Sequence, residues 1–268
     1  MDNRPIGVFD SGLGGLTAVR RLSEVLPGED IIYLGDTGRV PYGGRSRETI
    51  VKYAREDMKF LLGFNIKAVV VACGTVSTVA MPVIEPELDL PVFGVVKPAA
   101  LKAARLTANR RVGLIATKAS VKSGAYEKEI RRLDPSCAVL SKACPLFVPL
   151  VENGRIEKGD TVIETVAAEY LKEVADFGAD TLILGCTHYP LLMNVISDIM
   201  GNDVTLVDPG AETAEYLASE LMLRGMLAEK TAPGLCRCFV TDSTDDFYAS
   251  AELFLGRGII SEVEQVEL

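Results

Sequence analysis

With 268 residues, 48% of them hydrophobic and 24% charged, the chain has the composition of a packed globular protein, enough for one large domain or two of ordinary size. Its 37 acidic residues outnumber 28 basic ones, and the resulting net charge of −9 argues against nucleic acid or an anionic membrane as a partner. No charged segment leads into an apolar one near the start, and no apolar run reaches the roughly 20 residues that cross a bilayer, so the six cysteines are expected to be reduced cytoplasmic thiols.

The first strand is predicted over 5–9 and runs into Asp10-Ser11-Gly12-Leu13-Gly14-Gly15, ahead of a helix over 13–26. Glycines before a helix let backbone N–H groups approach an anion. Thr17, however, stands where a dinucleotide fingerprint needs its third glycine, and a tight turn with Asp10 satisfying loop amides is the plainer alternative. A second strand over 31–35 precedes Asp36 and Pro41-Tyr42-Gly43-Gly44, which suits either backbone donors for a carboxylate or a solvated turn. A helix over 46–63 follows, then a strand over 67–72 that ends at Cys73-Gly74-Thr75, and a helix over 76–85.

Next come a strand over 91–95, a helix over 97–108, a strand over 111–116 and helices over 119–133 and 160–177. The strand over 180–185 ends at Cys186-Thr187-His188, before a helix over 190–201. A strand over 204–207, a helix over 211–228, a strand over 236–241 and a helix over 244–255 complete the pattern. Near-continuous apolar strands alternating with helices predict the α/β class with mostly parallel sheets covered on both faces.

The openings Pro5–Ser11 and Arg111–Lys118 are weakly alike, and each half later carries one cysteine strand. This predicts two similar lobes facing a cleft: 1–97 plus 210–268 with Cys73, and 98–209 with Cys186. In such sheets, ligands bind beyond the carboxyl ends of the strands.

Both Cys73 and Cys186 sit at such ends. A lone cysteine in an apolar strand is ordinarily an inert core thiol. Two in matching positions, one beside the only histidine, point instead to a pair of acid/base groups acting on one substrate from opposite sides. Cys137, Cys144, Cys236 and Cys238 lack such settings and are read as core. A single histidine argues against zinc sites that need two imidazoles, and no metal site is expected.

The segments FDSGLGG (Phe9–Gly15), PYG (Pro41–Gly43), VACGTVS (Val71–Ser77), GCTHYP (Gly185–Pro190) and Phe239–Ser243 resemble those of the glutamate racemases, in the cofactor-independent aspartate/glutamate racemase superfamily. The resemblance covers nearly the whole chain. It implies interconversion of L- and D-glutamate without a cofactor, with Cys73 and Cys186 flanking the α-carbon. Asp10 then assists Cys73, while His188 and Glu152 assist Cys186. Substrate is held by Asp10, Ser11, Tyr42, Gly43, Gly74, Thr75, Thr187 and His188. A homodimer in the cytoplasm that supplies D-glutamate for peptidoglycan is also implied. One departure stands out: Gly74 and Val76 replace the asparagine and alanine usual in the family. The rival readings are another racemase of the superfamily, such as one for aspartate, and a two-lobed amino-acid-binding protein without catalysis.

Overall fold

Runs of valine, isoleucine and leucine leave no polar face, so the strands they form must be covered on both sides. The computed structural model describes residues 1–230, 232–256 and 258–268. Its strands are β1 (Ile6–Asp10), β2 (Ile31–Gly35), β3 (Ala68–Val71), β4 (Val92–Gly94), β5 (Arg111–Ala116), β6 (Ala138–Ala143), β7 (Thr181–Gly185), β8 (Thr205–Val207), β9 (Cys236–Val240) and β10 (Glu262–Gln265). One sheet has the order β10-β9-β2-β1-β3-β4, the other β6-β5-β7-β8, and every pairing is parallel. Helices flank both sheets, as the α/β reading expects.

Alternation along each strand sends side chains to opposite faces. Ile6 and Val8 of β1, Val70 of β3, and Leu182 and Leu184 of β7 enter one large apolar cluster that draws on both sheets. Phe9, Val69 and Val71 face a second cluster on the outer side of the first sheet. Val112, Leu114 and Ile183 face a third, behind the other sheet. β1, β2, β3 and β7 are buried throughout.

The structure holds two strands that the sequence pattern does not suggest. β6 (AVLSKA) and β10 (EVEQ) are partly or largely exposed edge strands. Polar and charged residues on an edge discourage pairing with other chains, and they also hide the strand from a search for apolar runs. The helix predicted over 119–133 divides at Gly124, whose φ of +65° ends one helix at Ser123 and starts the next at Ala125. A short helix, Phe147–Glu152, is likewise new.

A fully buried lysine ties the far end of the first sheet together. Lys67 Nζ lies 2.5 Å from Glu29 Oε2 and donates to the carbonyls of Asp2 (2.7 Å) and Met226 (2.8 Å). Such complete pairing is what allows an ammonium to stay out of water. This cluster sits away from the strands' carboxyl ends, which are left to the site.

Candidate active site

The carboxyl ends of β1, β3, β5 and β7 meet around a cavity of about 470 Å³ between the two sheets. Cys73 and Cys186 both line it, each just past the end of its strand, and both are free thiols. Ser11, Tyr42, Gly43, Gly74, Thr75, Glu152, Thr187 and His188 line it too, so nearly all the residues singled out in the sequence are brought together.

Cys73 caps the helix Gly74–Val79 in an extended conformation, and its Sγ lies 3.2 Å from Ser11 Oγ. Burial pushes this thiol up to about 12, helped by the negative charge of Asp10 and opposed by contacts with Ser11 and the Val76 N–H. It therefore rests as a thiol.

Asp10 is placed differently from expectation. It is fully buried behind Ser11 and Gly12 and does not line the cavity. Its Oδ2 accepts the Gly12 N–H at 3.0 Å, while Oδ1 has no hydrogen-bond partner among the described residues. Burial raises its pKa from the ordinary carboxylate value, against the charge of His188 and the N–H groups of Gly15, Gly12 and Ser11. The tight turn leaves Asp10 no face toward the cavity, so Ser11 and Gly12 stand between its carboxylate and the cavity.

On the other wall, Cys186 Sγ lies 3.9 Å from His188 Nδ1, and His188 Nε2 lies 2.9 Å from Glu152 Oε1. The imidazole packs edge-on against Phe254 of the helix Thr244–Leu255, with ring centroids 5.4 Å apart. Burial alone would disfavour its charge. Hydrogen bonds to Cys186 and Glu152, with their negative charges, more than reverse this and lift the pKa from 6.5 to about 10. As the chain's only histidine, His188 gives an imidazole NMR signal that needs no assignment. It is expected to stay protonated through neutral pH and to titrate near pH 10; a midpoint near 6.5 would remove the coupling. Its contribution to stability should be full below pH 6.5 and lost as pH rises through about 10.

Several residues of the site carry no signal as single positions. A Cβ on Gly14 would fall 2.1 Å from Thr187 Oγ1 and 2.5 Å from His188 Nδ1, so only glycine lets this turn pass over the imidazole. Thr17 Oγ1 lies 2.8 Å from the Gly14 carbonyl and 3.1 Å from that of Thr187, a hydroxyl shared between two acceptors. The residue that spoils the dinucleotide fingerprint therefore holds the two cysteine-bearing halves together. Thr117 and Lys118, past the end of β5, also line the cavity, and Thr117 Oγ1 lies 3.0 Å from Thr75 Oγ1. The rule that ligands gather at strand carboxyl ends would have found them.

Gly74, the departure from the family pattern, proves to be a contact between the two turns. A Cβ there would lie 2.6 Å from the Gly185 carbonyl oxygen, so glycine permits the two cysteine turns to touch. Tyr42 lines the cavity, but its hydroxyl is engaged with Asp36 and Asp57 and is not free for a ligand. Of the cysteines read as core, all four are buried, and Cys144 also reaches the cavity wall. Among the described residues, no cluster of three His, Cys, Asp or Glu is placed to hold a metal ion.

The chain also resembles known proteins along nearly its whole length. The family model described as Asp/Glu/Hydantoin racemase matches residues 14–217. A glutamate racemase of Thermoanaerobacter pseudethanolicus is 47% identical over 259 residues, 97% of this chain and 96% of that protein. A glutamate racemase isoform from Bacillus anthracis superposes with a TM-score of 0.95 at 38% identity, covering 100% of this chain and 99% of that one. The glutamate racemase of Francisella tularensis, solved in complex with D-glutamate, gives 0.91 at 40% identity, with 100% and 98% covered.

Proposed function

The chain belongs to the Asp/Glu/hydantoin racemase family, and from that membership we propose that it interconverts L- and D-glutamate by two thiols acting on opposite faces of the α-carbon. The observation that carries the proposal is the placing of Cys73 and Cys186 on one cavity, each with its own polar partners. Residues 1–97 with 210–268 would form the lobe that bears Cys73, and 98–209 the lobe that bears Cys186; the division of strands between the two sheets supports this.

One cysteine, as thiolate, takes the α-proton; the other, as thiol, gives its proton to the opposite face. The product leaves with inverted configuration, and the two sulfurs have exchanged protonation states. The reverse reaction uses the same pair in exchanged roles. An α-proton is weakly acidic, so the developing carbanion needs placed donors and little water. The hydroxyls of Ser11, Thr75 and Thr187, with the turn backbones at Gly43 and Gly74, are proposed to grip the substrate. Asp10 would act on Cys73 by its negative charge, which makes the sulfur a stronger base once ionised, and His188, steadied by Glu152, would assist Cys186.

A role in the cytoplasm as a homodimer supplying D-glutamate to peptidoglycan synthesis is part of the same proposal and rests on the family resemblance. Incubation with L-glutamate in D2O tests the reaction. Optical rotation should decay while deuterium enters the α-position; neither change would be seen with a protein that only binds the amino acid.

A further inference from the structure

Beside the cavity, behind its Val40–Gly44 wall, lies a cluster of charges that the proposed reaction does not use. Asp36 and Asp57 are both fully buried, and both face the Tyr42 hydroxyl and the Arg39 guanidinium. Arg39 Nε donates to Asp36 Oδ2 at 2.6 Å, Nη2 donates to Asp57 Oδ1 at 3.0 Å, and Nη1 donates to the half-exposed Glu56. Lys52 stands 3.8 Å from the far oxygen of Glu56, and the guanidinium stacks on Tyr53, 4.2 Å from its ring centre.

The donors are unevenly shared. Asp36 receives the Arg39 N–H, the Tyr42 O–H and, on its other oxygen, the Thr241 hydroxyl at 2.8 Å. Asp57 receives one Arg39 N–H, and its second oxygen sits 3.1 Å from the Tyr42 oxygen. A phenol carries one hydrogen. Once that hydrogen is given to Asp36, the contact between Tyr42 and Asp57 needs a hydrogen of its own. Two buried carboxylates facing one guanidinium, part of whose charge goes to Glu56, would also leave a buried negative charge without balance.

We infer that Asp57 is held as a neutral carboxylic acid that donates to the Tyr42 oxygen, while Tyr42 donates to ionised Asp36, and that this relay positions the Val40–Gly44 wall of the cavity. Burial and the charge of Asp36 raise Asp57 well above the carboxylate range, in the same direction. Burial and the charge of Asp36 likewise keep the proton on Tyr42. The consequence for substrate follows from the chain: Tyr42 is the first residue of the turn Tyr42–Gly44, so anchoring its ring fixes the turn. The turn also abuts the other half, where a Cβ on Gly43 would be 3.1 Å from Thr117 Cβ. Asp57 is thus a positioning residue, acting through Tyr42.

The functional part of this inference rests on the glutamate cavity proposed above; the protonation state does not. Asparagine at 57 mimics the neutral acid, with an amide N–H for Tyr42 and a carbonyl for Arg39. Asp57→Asn should keep KM for glutamate within about threefold, whereas Asp57→Leu and Asp36→Asn should each raise it on the order of tenfold with kcat moving less. Infrared spectra of the protein carrying 13C-labelled aspartate give a reading independent of turnover. At pH 7 the wild-type spectrum minus that of Asp57→Asn should show a protonated-carboxyl C=O band. Absence of that band from the difference spectrum, or equal damage from Asp57→Asn and Asp36→Asn, would overturn the inference. If no variant, nor the wild type, turns over glutamate, the function proposed for the cavity fails while the infrared result still decides the state of Asp57.

Discussion

Serine in place of Cys73, or of Cys186, should lower interconversion of the glutamate enantiomers by about 10²–10⁴-fold, the range typical of losing a positioned acid or base. A serine hydroxyl is a much weaker acid than a thiol, so it neither forms the anion that takes the α-proton nor readily releases a proton to the other face. Because both sulfurs act in one event, the double variant should be about as slow as the slower single one, not slower by the product of the two losses. Losses that multiply would mean that the cysteines serve separate steps. Solvent labelling sharpens the point. With one base on each face, every inversion in D2O delivers a solvent deuteron to the product, while substrate recovered early stays unlabelled. Early deuterium in the recovered substrate would indicate a single base that exchanges its proton with water and returns it to the same face. Cys73 and Cys186 need not be equivalent at rest: burial holds Cys73 as a thiol, and the cationic His188 stands beside Cys186. The direction in which each variant fails first in single-turnover experiments should reflect that asymmetry.

Gly14→Ala is expected to be nearly as damaging, though Gly14 bears no side chain and takes no part in the chemistry. Its added methyl would overlap Thr187 Oγ1 and the imidazole of His188, at 2.1 and 2.5 Å. The ring cannot move away freely, since Glu152 holds its Nε2 and Phe254 flanks it. Nor can the turn lift easily, because Thr17 joins the Gly14 and Thr187 carbonyls through one hydroxyl. Overpacking of this kind costs about 1–3 kcal/mol of stability. Displacement of a catalytic group by even 1 Å costs on the order of 10²-fold in rate, so kcat should fall by about that factor. The imidazole titration should also slide from about 10 toward 6.5 as His188 loses Cys186 and Glu152. A variant of normal activity and unchanged titration would show that the close approach at Gly14 does not set the place of His188.

The parts of this architecture legible in the sequence are those in which a single residue type reports its surroundings. Val69-Val70-Val71 and Leu182-Ile183-Leu184 read as strands because both faces are buried and no position needs a polar side chain. The cysteines at their ends stood out for the same reason, as reactive groups at the edge of apolar runs. β6 and β10 were opaque because an edge strand is half in water, and Ser141, Lys142, Glu262 and Glu264 break the pattern. Relations across the cavity were opaque for a different reason. Nothing about Gly14 or Thr17 alone announces His188, and the Tyr42 hydroxyl could not be read as turned away until Asp36 and Asp57 were seen around it. Asp10 was readable as important and not as buried behind the wall, since a tight turn decides which way its carboxylate faces.

The pairing of β2 with β9 has a consequence for how the chain matures. Asp36 and Thr241, bonded across the ends of these strands, are 205 residues apart, whereas the strands of the other sheet all fall within 111–207. Synthesis proceeds from the N-terminus, and parallel pairing over such separations closes slowly. On the ribosome, the sheet that carries Cys186 can therefore close while β2 is still an open edge. The wall that carries Cys73 gains β9 and β10 only after residues 236–265 have emerged, and until then β2 presents an unpaired edge open to pairing with a neighbour.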